Sequence, residues 1–245
     1  KAADLGHVEG QTAYAVMLLS GNGIPSDYSL AVKYLRQSVS QNDPEAHWLL
    51  GVTLMEILSQ KKNPISGPES PSDAVARHNK KYGESLLLLK KAADEFHIAQ
   101  AEYFLGMAYE YAIGVEQNFY VSQEYYRRAT EKGHADSMYN LGLMYTYGRG
   151  CVQDYRRAFA MFDNAIRSSA HKSAAYYLGL FHMYGYAIEP NYDRALNWFE
   201  FASVSEDPGI SEKALNAVVE IRELIDVANE ETAKQLDTFR SKGDT

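Results

Sequence analysis

Seven histidines, one cysteine and a scatter of carboxylates are the groups in this chain that could do acid–base, nucleophilic or metal chemistry. Metal ligation by histidine calls for short fixed spacings such as H-E-x-x-H, and a thiolate zinc site calls for several cysteines. His47, His78, His171 and His182 show no ligand spacing, His7, His97 and His134 recur at turns, and Cys151 stands alone. A Walker A loop, a G-x-S-x-G elbow and a C-x-x-C pair are also missing from the sequence. Gly21-Asn22-Gly23 and Gly148-Arg149-Gly150 suggest phosphate-cradling loops, but both recur at one period and neither continues into glycine-lysine, so they read as turns. The expectation is a protein that is not an enzyme and needs neither cofactor nor metal. What the chain has in excess is aromatic: 19 Tyr, 9 Phe and 2 Trp, and such rings carry recognition where they reach a surface.

Composition narrows the kind of recognition. Among 245 residues, 24 Lys+Arg stand against 32 Asp+Glu, a net charge of −8 that disfavours binding to a phosphate backbone. The chain is 46% hydrophobic yet has no apolar run long enough to cross a bilayer, so a sizeable core and no direct membrane insertion are expected. One cysteine excludes an intramolecular disulfide framework but leaves the redox compartment open. With no Asn-x-Ser/Thr sequon in the chain, the cytoplasm is favoured over the lumen of the endoplasmic reticulum. The chain opens at Lys1 without a signal segment and reads as a module of a longer protein.

The elements that position the aromatics follow from a repeat. Leu141, Gly142, Tyr145, Gly148, Gly150, Asp154, Ala158, Phe162 and Ala165 set a frame, and 36 residues earlier it reads Leu105, Gly106, Tyr109, Ala112, Gly114, Asn118, Ser122, Tyr126 and Ala129. Moving forward by 37 gives Leu178, Gly179, His182, Gly185, Ala187, Asn191, Ala195, Phe199 and Ala202, and Tyr14 to Ser38 is a further copy. Apolar residues within a unit recur at helical spacing and predict two helices. The turn glycines end the first helix, and Asp27, Asn118, Asp154 and Asn191 cap the second. Gly51, Gly106, Gly142 and Gly179 lie inside the first helix at a conformational cost, which close helix packing would compensate. The unit that starts at Leu50-Gly51 holds an insertion, read as a long exposed loop over about 59–82 with Pro64, Pro68, Pro71 and a basic cluster.

This pattern, Leu-Gly-x-x-Tyr, Gly-x-Gly, Asp, Ala-x-x-x-Phe and x-x-Ala, followed by Gly133-His134, resembles the Sel1-like repeat, a relative of the tetratricopeptide repeat. The resemblance implies an all-α fold, a right-handed α-solenoid of antiparallel helix pairs over residues 1–210 with a truncated first repeat. Residues 211–245 are expected to form C-terminal capping helices, with self-association through them as the alternative. It also implies an interaction scaffold or adaptor that takes a peptide or protein segment. The narrower versions are an adaptor for endoplasmic-reticulum-associated degradation and a substrate-recruiting C-terminal module of a kinase such as elongation-factor-2 kinase; a rigid spacer is the remaining alternative. Secreted relatives with a disulfide in each repeat have been linked to penicillin hydrolysis, and the single Cys151 gives no reason to carry that activity over.

By analogy with tetratricopeptide arrays, the first helices line a concave face at set positions around Leu-Gly. Those positions hold Trp48, Tyr103, Tyr139 and Tyr176 in one row, Met107, Leu143 and Leu180 in the next, and Tyr111, Tyr147 and Tyr184 beyond. These ten are the candidate partner-binding residues, and the open alternative is that the row led by Trp48 is buried between neighbouring units.

Overall fold

The computed structural model describes residues 3–60 and 71–243. Its elements are all helices: α1(Val8–Ser20), α2(Tyr28–Ser40), α3(Pro44–Gln60), α4(Pro71–Asp94), α5(Ala99–Glu110), α6(Phe119–Glu131), α7(Ala135–Tyr147), α8(Tyr155–Ser169), α9(Lys172–Tyr184), α10(Tyr192–Ser203) and α11(Pro208–Gly243). They form two compact units that meet in sequence within α7, residues 1–137 and 138–245.

In the first unit α1 packs on α2, α3 on α4 and α5 on α6, and successive pairs are joined by α2 against α3 and α4 against α5. In the second, α9 packs on α8 and α10, and α11 lies on α10 and α9. Four second helices, α2, α6, α8 and α10, start where the sequence places a cap. The side chains of Asp27, Asn118, Asp154 and Asn191 accept backbone amides of the first turn, with Asp154 taking Arg157 N–H at 3.0 Å and Asn191 taking Arg194 N–H at 2.9 Å. Gly21 and Gly185 end α1 and α9 in left-handed backbone, where a Cβ would be strained.

The glycines inside the first helices have one shared explanation. A Cβ on Gly142 would come within 2.7 Å of the Phe162 ring, and one on Gly179 within 2.5 Å of Phe199. Gly106 stands the same way over Tyr126, and Gly51 over Leu89. The large residue of the second helix therefore fills the space that the glycine vacates in its own pair, and Phe162 also meets Tyr177 and Phe181 of the following first helix. The Gly51 and Leu89 contact makes α3 and α4 a helix pair of this same kind.

Two expectations are corrected. The exposed loop read over 59–82 is helical in its C-terminal part, since α4 starts at Pro71, and residues 61–70 lie outside the described ones. Proline fits a first helical position because its missing N–H has no intrahelical partner there. Tyr82, taken as the end of the insertion, is buried, its Cβ over the backbone of Gly114. The C-terminal region is a single helix, not several, and it begins at Pro208. Ile210, Ala214, Ala217, Val218 and Ile221 of α11 are buried, and Ala217, Val218 and Ile221 cluster with Phe199 and Met183.

Candidate functional site

The ten candidate residues divide by burial. Trp48, Tyr103, Tyr139 and Tyr176 are half-buried and engaged in packing. Trp48 joins the cluster of Leu89 and Leu105. Tyr103 lies 4.8 Å from the His134 ring, and Tyr139 is stacked on His171 at 4.7 Å. Tyr176 meets Phe199 at 5.8 Å. Met107, Leu143 and Leu180 are half-buried as well. Tyr111, Tyr147 and Tyr184 differ in being 58%, 54% and 53% exposed, a large area for rings at equivalent repeat positions.

The histidine partners explain why two turns carry imidazoles. His134 Nδ1 accepts the Ser137 amide at 3.2 Å, and His171 Nδ1 accepts the Ala174 amide at 3.2 Å, so each ring caps a first helix while its face covers a tyrosine. Accepting at Nδ1 requires that nitrogen to be unprotonated. Burial lowers the His134 pKa below 6.5, with Asp136 opposing weakly. A histidine held neutral in the fold adds stability above its unfolded pKa, and that part is lost as pH falls through 6.5 toward the folded value. Urea unfolding at pH 7.5 and 5.5 should therefore show less stability at the lower pH, and His134→Gln, which keeps an acceptor, should narrow that difference. An unchanged difference would remove His134 from the account.

In the first unit the structure gathers some of the candidates around one cavity of about 570 Å³. Met107 and Tyr111 line it with Val52, Met55, Phe104 and Tyr82, and Glu56 stands in the wall with its carboxylate 3.0 Å from the Tyr28 hydroxyl. Trp48 and Tyr103 do not line it. Methionines and flat rings make an adaptable apolar wall, with little side-chain entropy to lose in the rings.

In the second unit Tyr139, Tyr147 and Tyr176 all meet Tyr177, through ring contacts at 5.9 and 5.5 Å and a hydroxyl contact of 3.5 Å from Tyr147. Burial, and then the Tyr147 hydroxyl, push the Tyr177 phenol well above its usual pKa. Tyr184 lies 5.7 Å from Tyr186, and burial followed by the Glu220 charge raises its pKa. Phe104 and Tyr177, which the sequence reading left out, occupy one repeat position, the residue before the Leu of Leu-Gly. Their shared aromatic character was the available signal.

Among the described residues no group of three or more His, Cys, Asp or Glu is placed to hold a metal ion, and no helix is long and apolar enough to cross a membrane. Cys151 is half-buried in the α7–α8 turn with Sγ 3.7 Å from the Met144 carbonyl.

Antiparallel helix pairs, four of them closed by a glycine under a bulky side chain, define a helical-repeat protein with exposed tyrosines at the ends of its first helices. The Sel1 repeat model matches residues 8–43, 99–134, 135–169 and 172–203, more than half of the chain, and the chain belongs to the Sel1 repeat family. The pair α3 and α4 is outside those matches and shares the packing. A Sel1 repeat protein from Oxalobacter formigenes has the same fold at TM-score 0.70 and 21% identity, over 91% of each chain. A sel1 repeat protein from Klebsiella pneumoniae gives TM-score 0.56 at 20% identity, over 89% of this chain and 96% of that one. Among curated relatives, rat protein sel-1 homolog 2 is 32% identical over 114 residues, 46% of this chain and 15% of the relative. The ERAD-associated E3 ubiquitin-protein ligase component HRD3A of Arabidopsis thaliana is 34% identical over 70 residues, 29% of this chain and 10% of that protein. The chain thus spans a small fraction of these curated relatives.

Proposed function

We propose that the chain is a protein-interaction scaffold that receives an apolar segment of a partner on its first helices. Sel1 repeat proteins generally act through protein–protein contact, and the observation that carries the reading to particular residues is the apolar cavity under Met107 and Tyr111. An apolar side chain of the partner would enter it, with Glu56 in the wall favouring a neighbouring basic residue. Tyr147 and Tyr184 would add contact area in the second unit, each with an exposed face. Trp48, Tyr103, Tyr139 and Tyr176 support those residues through packing and serve the site indirectly.

The test is affinity capture with wild type and with Tyr111→Ala, Tyr147→Ala and Tyr184→Ala, followed by titration of the recovered partner. Each substitution removes an exposed ring, so melting curves should stay in place while affinity falls at least tenfold, about 1.4 kcal/mol, for one or more of the three. Equal affinity for all three would overturn the reading and move the contact elsewhere, for example to the exposed Leu215 and Val219 of α11.

A second reading, an adaptor in endoplasmic-reticulum-associated degradation, is favoured by the likeness to HRD3A. Co-precipitation with a membrane ubiquitin ligase supports it, and recovery of partners from another compartment alone counts against it.

A further inference from the structure

A second cavity, of about 690 Å³, lies in the other unit between the second helices α8 and α10, with α9 in its wall. It uses none of the ten candidate residues. The repeat register shows what is unusual about it. In the preceding pair Arg157 stands over the Tyr145 ring at 5.7 Å and reaches Asp154 Oδ2 with its Nε at 3.3 Å. The same three positions 37 residues later are Arg194, His182 and Asn191.

Asn191 keeps the capping bond to the Arg194 amide but brings no carboxylate, and His182 replaces the electron-rich phenol with a smaller ring. Arg194 has therefore lost both of the groups that satisfy Arg157. Among the described residues its guanidinium makes no ion pair or hydrogen bond. His182, also in the cavity wall, is 6% exposed, and its Nδ1 is buried without a hydrogen-bond partner. A buried polar atom left so weakens the fold unless something meets it.

We propose that this cavity binds a carboxylate attached to an apolar or aromatic body. Arg194 takes the carboxylate as a charge-assisted donor, and the His182 ring supplies a further polar contact. The body lies against Phe159, whose ring meets His182 edge-on at 6.0 Å, and against Trp198. The charges in the wall select a single negative charge. Asp163 is matched by Arg167 at 2.8 Å and Glu189 makes no ion pair with Arg194 among the described residues, so the wall is neutral as a whole and Arg194 is its cation without a paired carboxylate. A phosphate dianion is therefore a poorer fit than a carboxylate. The carboxylate could belong to a peptide C-terminus or to a free aryl acid.

The experiment follows the His182 and Trp198 side-chain NMR signals of the whole chain during titration with N-acetylphenylalanine, 3-phenylpropionate, N-acetylphenylalanine amide and inorganic phosphate. Saturable shifts are expected with the two acids, at least tenfold weaker with the amide, and at least tenfold weaker for both acids in Arg194→Gln. Preference for N-acetylphenylalanine would assign the carboxylate to a peptide terminus, and preference for 3-phenylpropionate to a free acid. A second variant, His182→Tyr with Asn191→Asp, restores the set around Arg157 and should abolish binding while the circular dichroism and melting curve match wild type. Equal binding of acid and amide, no saturable shift with either acid, tighter binding of phosphate, or full binding by Arg194→Gln would each overturn the proposal.

Discussion

Gly142→Val is expected to lower the stability of the chain by about 3 kcal/mol, read as a fall in the urea midpoint followed by far-ultraviolet circular dichroism. Glycine in a helix interior is ordinarily worth replacing, since alanine gains roughly 0.5–1 kcal/mol there. Here a single added carbon would sit 2.7 Å from the Phe162 Cε1 and 2.9 Å from its Cδ1, inside the contact distance of any real pair. The ring is wholly buried and closely surrounded by Tyr139, Tyr177 and Phe181, so it has no direction in which to give. The sign of the alanine substitution is the sharper part of the result. Gly142→Ala should destabilise wild type by roughly 1–2 kcal/mol, yet be neutral or stabilising once Phe162→Leu has shortened the opposing side chain. A cost that persisted in the Phe162→Leu background would show that the glycine answers to its own backbone and not to the ring.

The need for close packing at these glycines could be read in the sequence because it repeats, although the large residue that meets them could not. Gly106 with Tyr126, Gly142 with Phe162 and Gly179 with Phe199 keep one spacing, and a cost borne at the same place in every unit implies a common compensation. Caps were readable for the same reason: Asp27, Asn118, Asp154 and Asn191 each precede an amphipathic run and can each accept a first-turn amide. The insertion did not repeat, and its prolines and charges looked like loop. Local composition there could not reveal that Tyr82 and Leu86 have a glycine, Gly114, to pack against about 30 residues later.

The candidate site was readable in part. Position in the repeat named Tyr111, Tyr147 and Tyr184, which reach solvent, and also Tyr103 and Tyr139, for which burial was the open alternative and which are covered by histidines. Periodicity assigns a residue to a helix face, but whether the face is open depends on the turn that follows, and that turn is where His134 and His171 sit. The pocket around Arg194 lay further from view. Its two substitutions, tyrosine to histidine and aspartate to asparagine, are visible by counting 37 residues, but their convergence on one guanidinium needs three dimensions.

Glu102 shows the same limit and gives the other large effect. Counting by the repeat places it in a column with His47, Met138 and Ala175, all buried, so a carboxylate there is out of character. Its side chain is wholly buried, with Arg128 Nε at 2.8 Å on one oxygen and Lys132 Nζ at 2.5 Å on the other. Arg128 also bonds Asp94 at 2.9 Å and the Ala93 carbonyl at 2.9 Å, tying α6 to both α5 and the end of α4. The two cations keep about a quarter to a third of their surface in water, whereas the carboxylate keeps none. Removing the cations together, as Arg128→Met with Lys132→Met, should therefore cost roughly 3–5 kcal/mol, because it strands a buried charge. Removing the carboxylate alone, as Glu102→Met, should cost less, since Arg128 retains Asp94 and both cations can turn to solvent. The triple variant should recover most of the stability lost by the double one, as methionine already fills this column at Met138. If the triple variant were no more stable than the double, the loss would lie in the packing of the Arg128 and Lys132 stems, and the buried charge would not be its cause.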